Sequence, residues 1–444
     1  MYSNNLPPVA GEKLKRHVLF AMQRYWFSNA GVVADLPVRR GLFPEVFGPL
    51  RLVYVLLPEW AVECGVEGRL AVPSEACPNP DYAVWEDVDW WLASFLMLEC
   101  WHERVWELEN GPIHSYSLRL KGWDTRVWDY AWVNRIALFF RMWAAQINGK
   151  SEEQLFDFLL ASEIVMTHDV DAVAKTLPIR IKQGCFNLFN ALRALVKGDL
   201  RVASDKFTKA LRFLFGCEDW WTLDTLLNFE LKHNLHSRFH FYADSRKKTP
   251  KRWLFDPGYD VHSQKLKPFI CRLVDSGLEL GLHPSFDSWQ EPTLIRNQKA
   301  NLEAVVSHPS NVCRQHWLRF SWEKTWSAQE VAGIVKDTTL MFNDRSGFRN
   351  ASALAWNPWQ AKGGKAHQLT ALPTVLMDSH FYDYQPMTSD VRRKEMERWV
   401  QECRAVFGQI AVLWHPHTLT KDYGWSEGFE ELVTLLTGKI NAQL

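Results

Sequence analysis

Residues 163–171 read EIVMTHDVD, an apolar, β-branched run that ends on a histidine and two aspartates spaced two apart. Val, Ile and Thr crowd a helix but fit a pleated strand, so EIVMT is expected to be a strand with Asp169 and Asp171 at its C-terminal end. Similar endings recur down the chain: SRFHFYA (237–243) is followed by Asp244, LELGLH (278–283) ends on His283, LPTVLMD (372–378) on Asp378, and QIAVLWH (409–415) on His415. VCRQHWLRF (312–320) and TTLMF (338–342) complete the strand candidates. Helix-like stretches over 196–232, 262–276, 326–336, 388–406 and 425–437 separate most of them, and this alternation predicts a parallel sheet, open or closed into a barrel. The C-terminal ends of the strands converge in such a barrel, and active sites are built there.

Upstream the pattern changes at Asn148-Gly149-Lys150-Ser151, a polar turn followed by an acidic helix start. A boundary there gives an N-terminal α+β domain, residues 1–150, and a barrel domain, residues 151–444. Within the first, VFGPLRLVYVLLPEW reads as one or two strands, and DVDWWLASFLMLECWHERVWELE and WVNRIALFFRMWAAQI as helices with apolar residues three to four apart.

The composition bounds the rest. With 444 residues, 47% hydrophobic and 23% charged, the chain is globular rather than disordered or collagen-like. Lys+Arg and Asp+Glu are 51 each, so no broad field exists to grip a phosphate backbone and a nucleic-acid partner is not expected. The eight cysteines are dispersed with no C-x-x-C pair, which excludes a zinc ribbon or a thioredoxin-type site and suits a reduced compartment. Lys13, Lys15 and Arg16 precede HVLFAMQRYWF, but Gln23 and Arg24 interrupt it before a signal-peptide core develops. No run reaches the roughly 18 apolar residues of a membrane span. The expectation is a soluble, cytoplasmic protein. Its 23 tryptophans suit either a well-filled core or flat sugar-stacking surfaces.

Asp169 and Asp171 are the first candidates for chemistry. Of two neighbouring carboxylates, one held by a divalent cation stays ionised and leaves the other to act as a base. His283 closes its strand, Pro284 stops the continuation, and a neutral imidazole is the commonest metal-ligand type. His316 is a third donor, expected on a strand with Arg314 on the same face.

In order and spacing these residues resemble the polysaccharide deacetylases of the NodB homology type, in the branch found in bacterial O-antigen and surface-polysaccharide gene clusters. That family opens with T-F-D-D, whose first Asp is the base and second a metal ligand; Thr167-His168-Asp169-Val170-Asp171 stands there. Its H-[ST]-x-x-H motif matches His283-Pro284-Ser285-Phe286-Asp287 at one histidine, with an aspartate four later. Gly347-Phe348-Arg349-Asn350 stands where the family places an arginine against the base, and Val412-Leu413-Trp414-His415 matches the strand end that carries its general acid. Residues 85 to 147 resemble the accessory N-terminal domain of this branch. The resemblance covers residues 163 to 420 and implies a distorted (β/α) barrel.

It also implies metal-dependent hydrolysis of an N-acyl group, N-acetyl foremost and formyl as the alternative, on an amino sugar that is nucleotide-linked or polysaccharide-linked. Asp169, His415 and Arg349 are then the catalytic residues: base, acid, and the partner that holds the base. Asp171, His283 and His316 are the metal ligands, with zinc the expected ion. Val170 stands where the family has its metal Asp, so the ligand is Asp171, or Asp169 with the base reassigned. Asp287 is the alternative to His316. Ser285, Arg314 and Trp414 are the expected substrate contacts. The competing classes are an acyl-transferring enzyme, of formyl for instance, on the same metal site, and a non-catalytic carbohydrate-binding protein on the same fold.

Overall fold

The computed structural model describes residues 2–3 and 6–438. Its largest sheet has eight strands: β1 (Glu163–Val170), β2 (Arg238–Phe241), β3 (Glu279–Leu282), β4 (Val312–Cys313), β5 (Lys336–Asp337), β6 (Thr370–Ala371), β7 (Thr374–Met377) and β8 (Gln409–Leu413). Their order is β6-β5-β4-β3-β2-β1-β8-β7. The pairs β1–β2, β2–β3, β4–β5 and β5–β6 are parallel. Helices make the crossovers from β1 to β2, β2 to β3 and β4 to β5, while a long connection without a helix joins β5 to β6. The parallel α/β class expected from the alternation is the one observed, and β6 and β7 are edges, as in a distorted (β/α) barrel that does not close.

Asp169 lies in β1, Asp171 just beyond it, His283 just past β3, Asp378 just past β7 and His415 just past β8, so these strand endings are real. One strand expectation is corrected. VCRQHWLRF pairs only over Val312–Cys313, after which His316–Leu318 form a 3₁₀ turn. Trp317 and Leu318 there have φ of 57° and 47°, a left-handed backbone that no strand holds. His316 is therefore in a turn, and the period-two rule does not place Arg314 on its face.

The chain gathers into two compact units. The first comprises Met1–Val165, Asp287–Ile295 and Asn311–Val412. Its helices include α1 (Trp90–Leu98), α2 (Trp101–Asn110) and α3 (Trp132–Asn148). Every residue of α1 is buried, which is why its sequence WWLASFLML has no polar face; Asp89 caps it by accepting from Leu92 N–H at 2.9 Å. Most tryptophans fill cores here: Trp90, Trp101, Trp132, Trp326, Trp356 and Trp399 are all at most 2% exposed. Trp359, 5% exposed, is a packing residue as well.

The helix α2 presents Glu103 and Glu107, one turn apart, to residues 321–349 of the same unit. Glu107 accepts from the Ser321 hydroxyl and from Trp322 N–H at 3.1 Å. Burial pushes its pKa from 4.5 to about 6 despite these two donors, which lower it. The folded chain therefore binds this proton more tightly than the unfolded chain. The group's contribution to stability is full below pH 4.5 and is lost as pH rises through about 6, on the order of 2 kcal/mol across the window. Urea midpoints measured from pH 4 to 7 should show this decline in the wild type and lose it in Glu107→Gln.

The second unit comprises Met166–Phe286, Arg296–Ser310 and Leu413–Leu444. It contains the helical hairpin α4 (Leu177–Val196) and α5 (Leu200–Phe215), then α6 (Leu223–His233). The sequence pattern marks helix only from residue 196 onward, whereas the hairpin's first helix begins six residues after Asp171. No helix among the described residues is long and apolar enough to cross a membrane.

Candidate active site

The two faces of β1 have different roles. Along the strand, side chains alternate, so Asp169 projects opposite to His168 and Val170. His168 is fully buried; its Nε2 stands 2.6 Å from Glu230 Oε1 on α6, and its Nδ1 2.7 Å from the Trp414 carbonyl. The Ser237 hydroxyl donates to the same Glu230 oxygen at 2.8 Å. His168 is thus a structural clamp behind the strand. Val170, fully buried, lies on that side too, so the aspartate missing at this position is not missing from the site.

The opposite face carries the chemistry. In register, Asp169 of β1 stands beside His240 of β2, and His240 beside Gly281 of β3. His240 Nδ1 lies 3.0 Å from Asp169 Oδ1. A Cβ on Gly281 would overlap the His240 ring, so the glycine is what lets the imidazole lie across the sheet. His283, two residues on from Gly281, comes up on the same face.

Past β1 the chain turns sharply: Asp171 N–H donates back to the Asp169 carbonyl at 3.0 Å. Tyr259 holds the turn by donating its hydroxyl to the Val170 carbonyl at 2.6 Å. The Asp171 carboxylate then meets two imidazoles. His283 Nε2 is 3.3 Å from Asp171 Oδ1, and His415 Nε2 is 3.7 Å from Asp171 Oδ2. The other nitrogen of His283, Nδ1, is 3.9 Å from Asp169 Oδ2.

These spacings fit a cation. Two donors at about 2.1 Å from a tetrahedral ion are about 3.4 Å apart, close to the His283–Asp171 separation and longer than an ordinary hydrogen bond between such groups. Imidazole and carboxylate are the donor types a zinc-class ion takes. A further charge approaches from α4: burial lowers the pKa of Lys182, and the Asp171 carboxylate raises it in part.

Several of the other expected site residues play other parts. Ser285, 1% exposed, accepts from Gln298 Nε2 at 2.9 Å while its N–H donates to Gln298 Oε1 at 2.8 Å, so it orders the loop after His283 rather than presenting a hydroxyl to substrate. Trp414 is fully buried with its ring 5.9 Å from that of Phe429, a core residue and not a stacking platform. Arg314 is fully buried and donates to the Thr338 carbonyl at 3.0 Å and to Thr374 Oγ1 at 2.9 Å. Arg349 also changes role: its carboxylate partner is Glu103 of α2, and it donates to Ser115 Oγ at 2.8 Å and to the Met341 carbonyl at 2.9 Å. Four of its five N–H groups are thus engaged within the first unit, and Glu103 takes the place expected for Asp169. His316 and Asp287 belong to the first unit, where His316 is buried.

Sequence reasoning missed His240 and Lys182. His240 was readable only across strands, from its register with Asp169 and with a glycine inside an apolar run. Lys182 had no local signal.

No family model and no curated protein matches the chain. Among solved structures it is similar to a candidate polysaccharide deacetylase from Mycobacterium smegmatis, at 15% identity over 64% of this chain and 88% of that one, with a TM-score of 0.36. It is also similar to the chitin deacetylase of the fungal pathogen Colletotrichum lindemuthianum, at 9% identity over 64% and 85%, TM-score 0.32. A third is a CE4 family pseudoenzyme from Bacillus anthracis, at 13% identity over 63% and 60%, TM-score 0.26. Likeness at this distance carries neither residue roles nor activity across.

Proposed function

We propose that this chain is a metal-dependent carbohydrate deacetylase that removes an N-acyl group, N-acetyl foremost, from an amino sugar in bacterial surface-polysaccharide (O-antigen) biosynthesis. The observation that carries this reading is the Asp171 carboxylate set between His283 and His415, with a second carboxylate, Asp169, on the same face of the sheet. Two acids of unlike surroundings beside two imidazoles provide a cation holder, a base and an acid in one place.

Asp171 and His283 are the proposed ligands, and His316, buried in its own unit, is the third ligand of this proposal. When bound, a divalent cation, zinc being the ordinary choice, would supply Lewis-acid polarisation of an acyl carbonyl and lower the pKa of a water to about 7. Asp169 accepts that water's proton at its carboxylate, and His240 orients it for the purpose. His415 delivers a proton to the departing amine nitrogen, a role worth about 10²- to 10⁴-fold. His415 and Asp171, 16% and 29% exposed at their side chains, are the members of the group that a sugar can reach. In this reading residues 1–150 are an accessory domain and residues 151–444 the deacetylase barrel, and the substrate is nucleotide-linked or polysaccharide-linked.

Metal analysis of protein purified without added zinc tests the assignment. Asp171→Ala, His283→Ala and His316→Ala should each lose a stoichiometric ion, while His415→Ala should keep it and lose acetate release from N-acyl amino sugars. Full metal content in Asp171→Ala would remove the site. Metal bound with neither acetate nor formate released would leave a carbohydrate-binding protein on a deacetylase fold.

A further inference from the structure

The hairpin of α4 and α5 has its amphipathicity inverted. A surface helix ordinarily turns its large apolar side chains inward. In α4 the buried residues are small or polar, Gly184, Asn187, Ala191 and Ala194. Its large ones face out along one helical stripe: Ile181, Phe189, Leu192, Leu195 and Val196, with Phe189 63% and Val196 89% exposed. The helix α5 repeats the arrangement along most of its length, burying Ala203, Ala210 and one aromatic, Phe213, near its end, and exposing Leu200, Phe207, Leu211 and Phe215, the last at 74%.

The small inward residues bring the two helices close; a Cβ on Gly184 would stand 2.6 Å from Leu214. The base of the hairpin is pinned to its own unit. Lys175 pairs with Asp422 at 2.7 Å, Phe213 packs on Trp220, and Arg180 donates to the Leu214 and Gly216 carbonyls that end α5. It is thus a fixed element, and its outward face is apolar by construction.

Charge identifies the occupant. The whole chain is neutral, yet residues 177–215 carry eight Lys and Arg against two Asp. By helical spacing the exposed Arg193 and Lys197 border the apolar stripe of α4, and Arg201 and Arg212 that of α5. Apolar stripes edged with cations are what an anionic bilayer surface accepts: the side chains enter the acyl boundary and the cations meet the headgroups. A partner protein of matching hydrophobicity would not require this excess of one sign.

We propose that the α4–α5 hairpin docks this chain on an anionic membrane surface. Because α4 begins six residues after Asp171, the docked hairpin holds the strand-end carboxylates near the bilayer. Resting on the deacetylase reading, this makes the substrate an amino sugar carried on a membrane lipid.

Flotation of the full chain with vesicles tests it. The wild type should float with vesicles of equal parts phosphatidylglycerol and phosphatidylcholine, bind far less to phosphatidylcholine alone, and release as salt is raised. Leu192→Glu combined with Val196→Glu, and separately Lys197→Glu combined with Arg201→Glu, should each lower partitioning about tenfold or more. All four positions are exposed, so thermal midpoint and turnover of a soluble N-acyl amino sugar should stay at wild-type values. Wild-type protein that remains with the solution, or variants that float equally well, would overturn the inference. So would a stable wild-type dimer that the Leu192/Val196 variant converts to monomer, since a second copy would then cover the face. Soluble turnover without flotation removes the docking and keeps the deacetylase; flotation without any deacylation does the reverse.

Discussion

Asp169→Asn is expected to lower acetate release by about 10²- to 10⁴-fold while metal content and thermal midpoint stay near wild type. The asparagine keeps the shape of the side chain and an oxygen to face His240 Nδ1, which stands 3.0 Å from Asp169 Oδ1, so the row across the sheet is preserved. What it loses is the ability to take a proton. Single-turnover acetate release paired with metal analysis of the same preparation checks both halves. If the ion is lost along with turnover, Asp169 is a ligand and the base must be sought elsewhere. If turnover is unchanged, it has no part in the reaction.

Arg349→Met should act on stability. Arg349 and Glu103 are 2% exposed each and paired, so removing the cation leaves a buried carboxylate with the Trp322 indole N–H, 2.7 Å away, as its remaining donor among those described. Breaking a buried pair from one side costs about 3–5 kcal/mol. The double variant Arg349→Met with Glu103→Leu should recover part of this, because no orphaned charge remains; an unpaired indole N–H costs about 1–3 kcal/mol. Urea midpoints of the two singles and the double give the coupling directly. An Arg349→Met protein as stable as the wild type yet inactive would restore the catalytic part that its sequence motif implied.

The strand endings were legible because their chemistry is local. A β-branched apolar run cannot easily be anything but a strand, and the Asp or His that stops it stands where the next turn begins. Thr167 to Asp171, His283 and His415 could therefore be placed from residue order alone. The segment from Val312 to Phe320 could not, since it has a strand's composition but carries left-handed residues at Trp317 and Leu318, and nothing in side-chain polarity reports the sign of φ. Partners far apart in sequence were equally hidden. Arg349 reads as a site residue by its motif, but its carboxylate lies 246 positions away on α2. Trp414 is a stacking candidate by type and a core residue by position. His240, in a run read correctly as a strand, became a site residue only through its neighbours on either side.

Gly281 sets a condition on any redesign of this chemistry. A carboxylate and an imidazole can be written into adjacent strands of many parallel sheets, but the ring then needs somewhere to lie flat. Here that room comes from an achiral residue one strand over, which bears no functional group and would pass unnoticed in a catalogue of reactive atoms. Transplanting the constellation to another scaffold must start from that gap and add the acid and base afterwards.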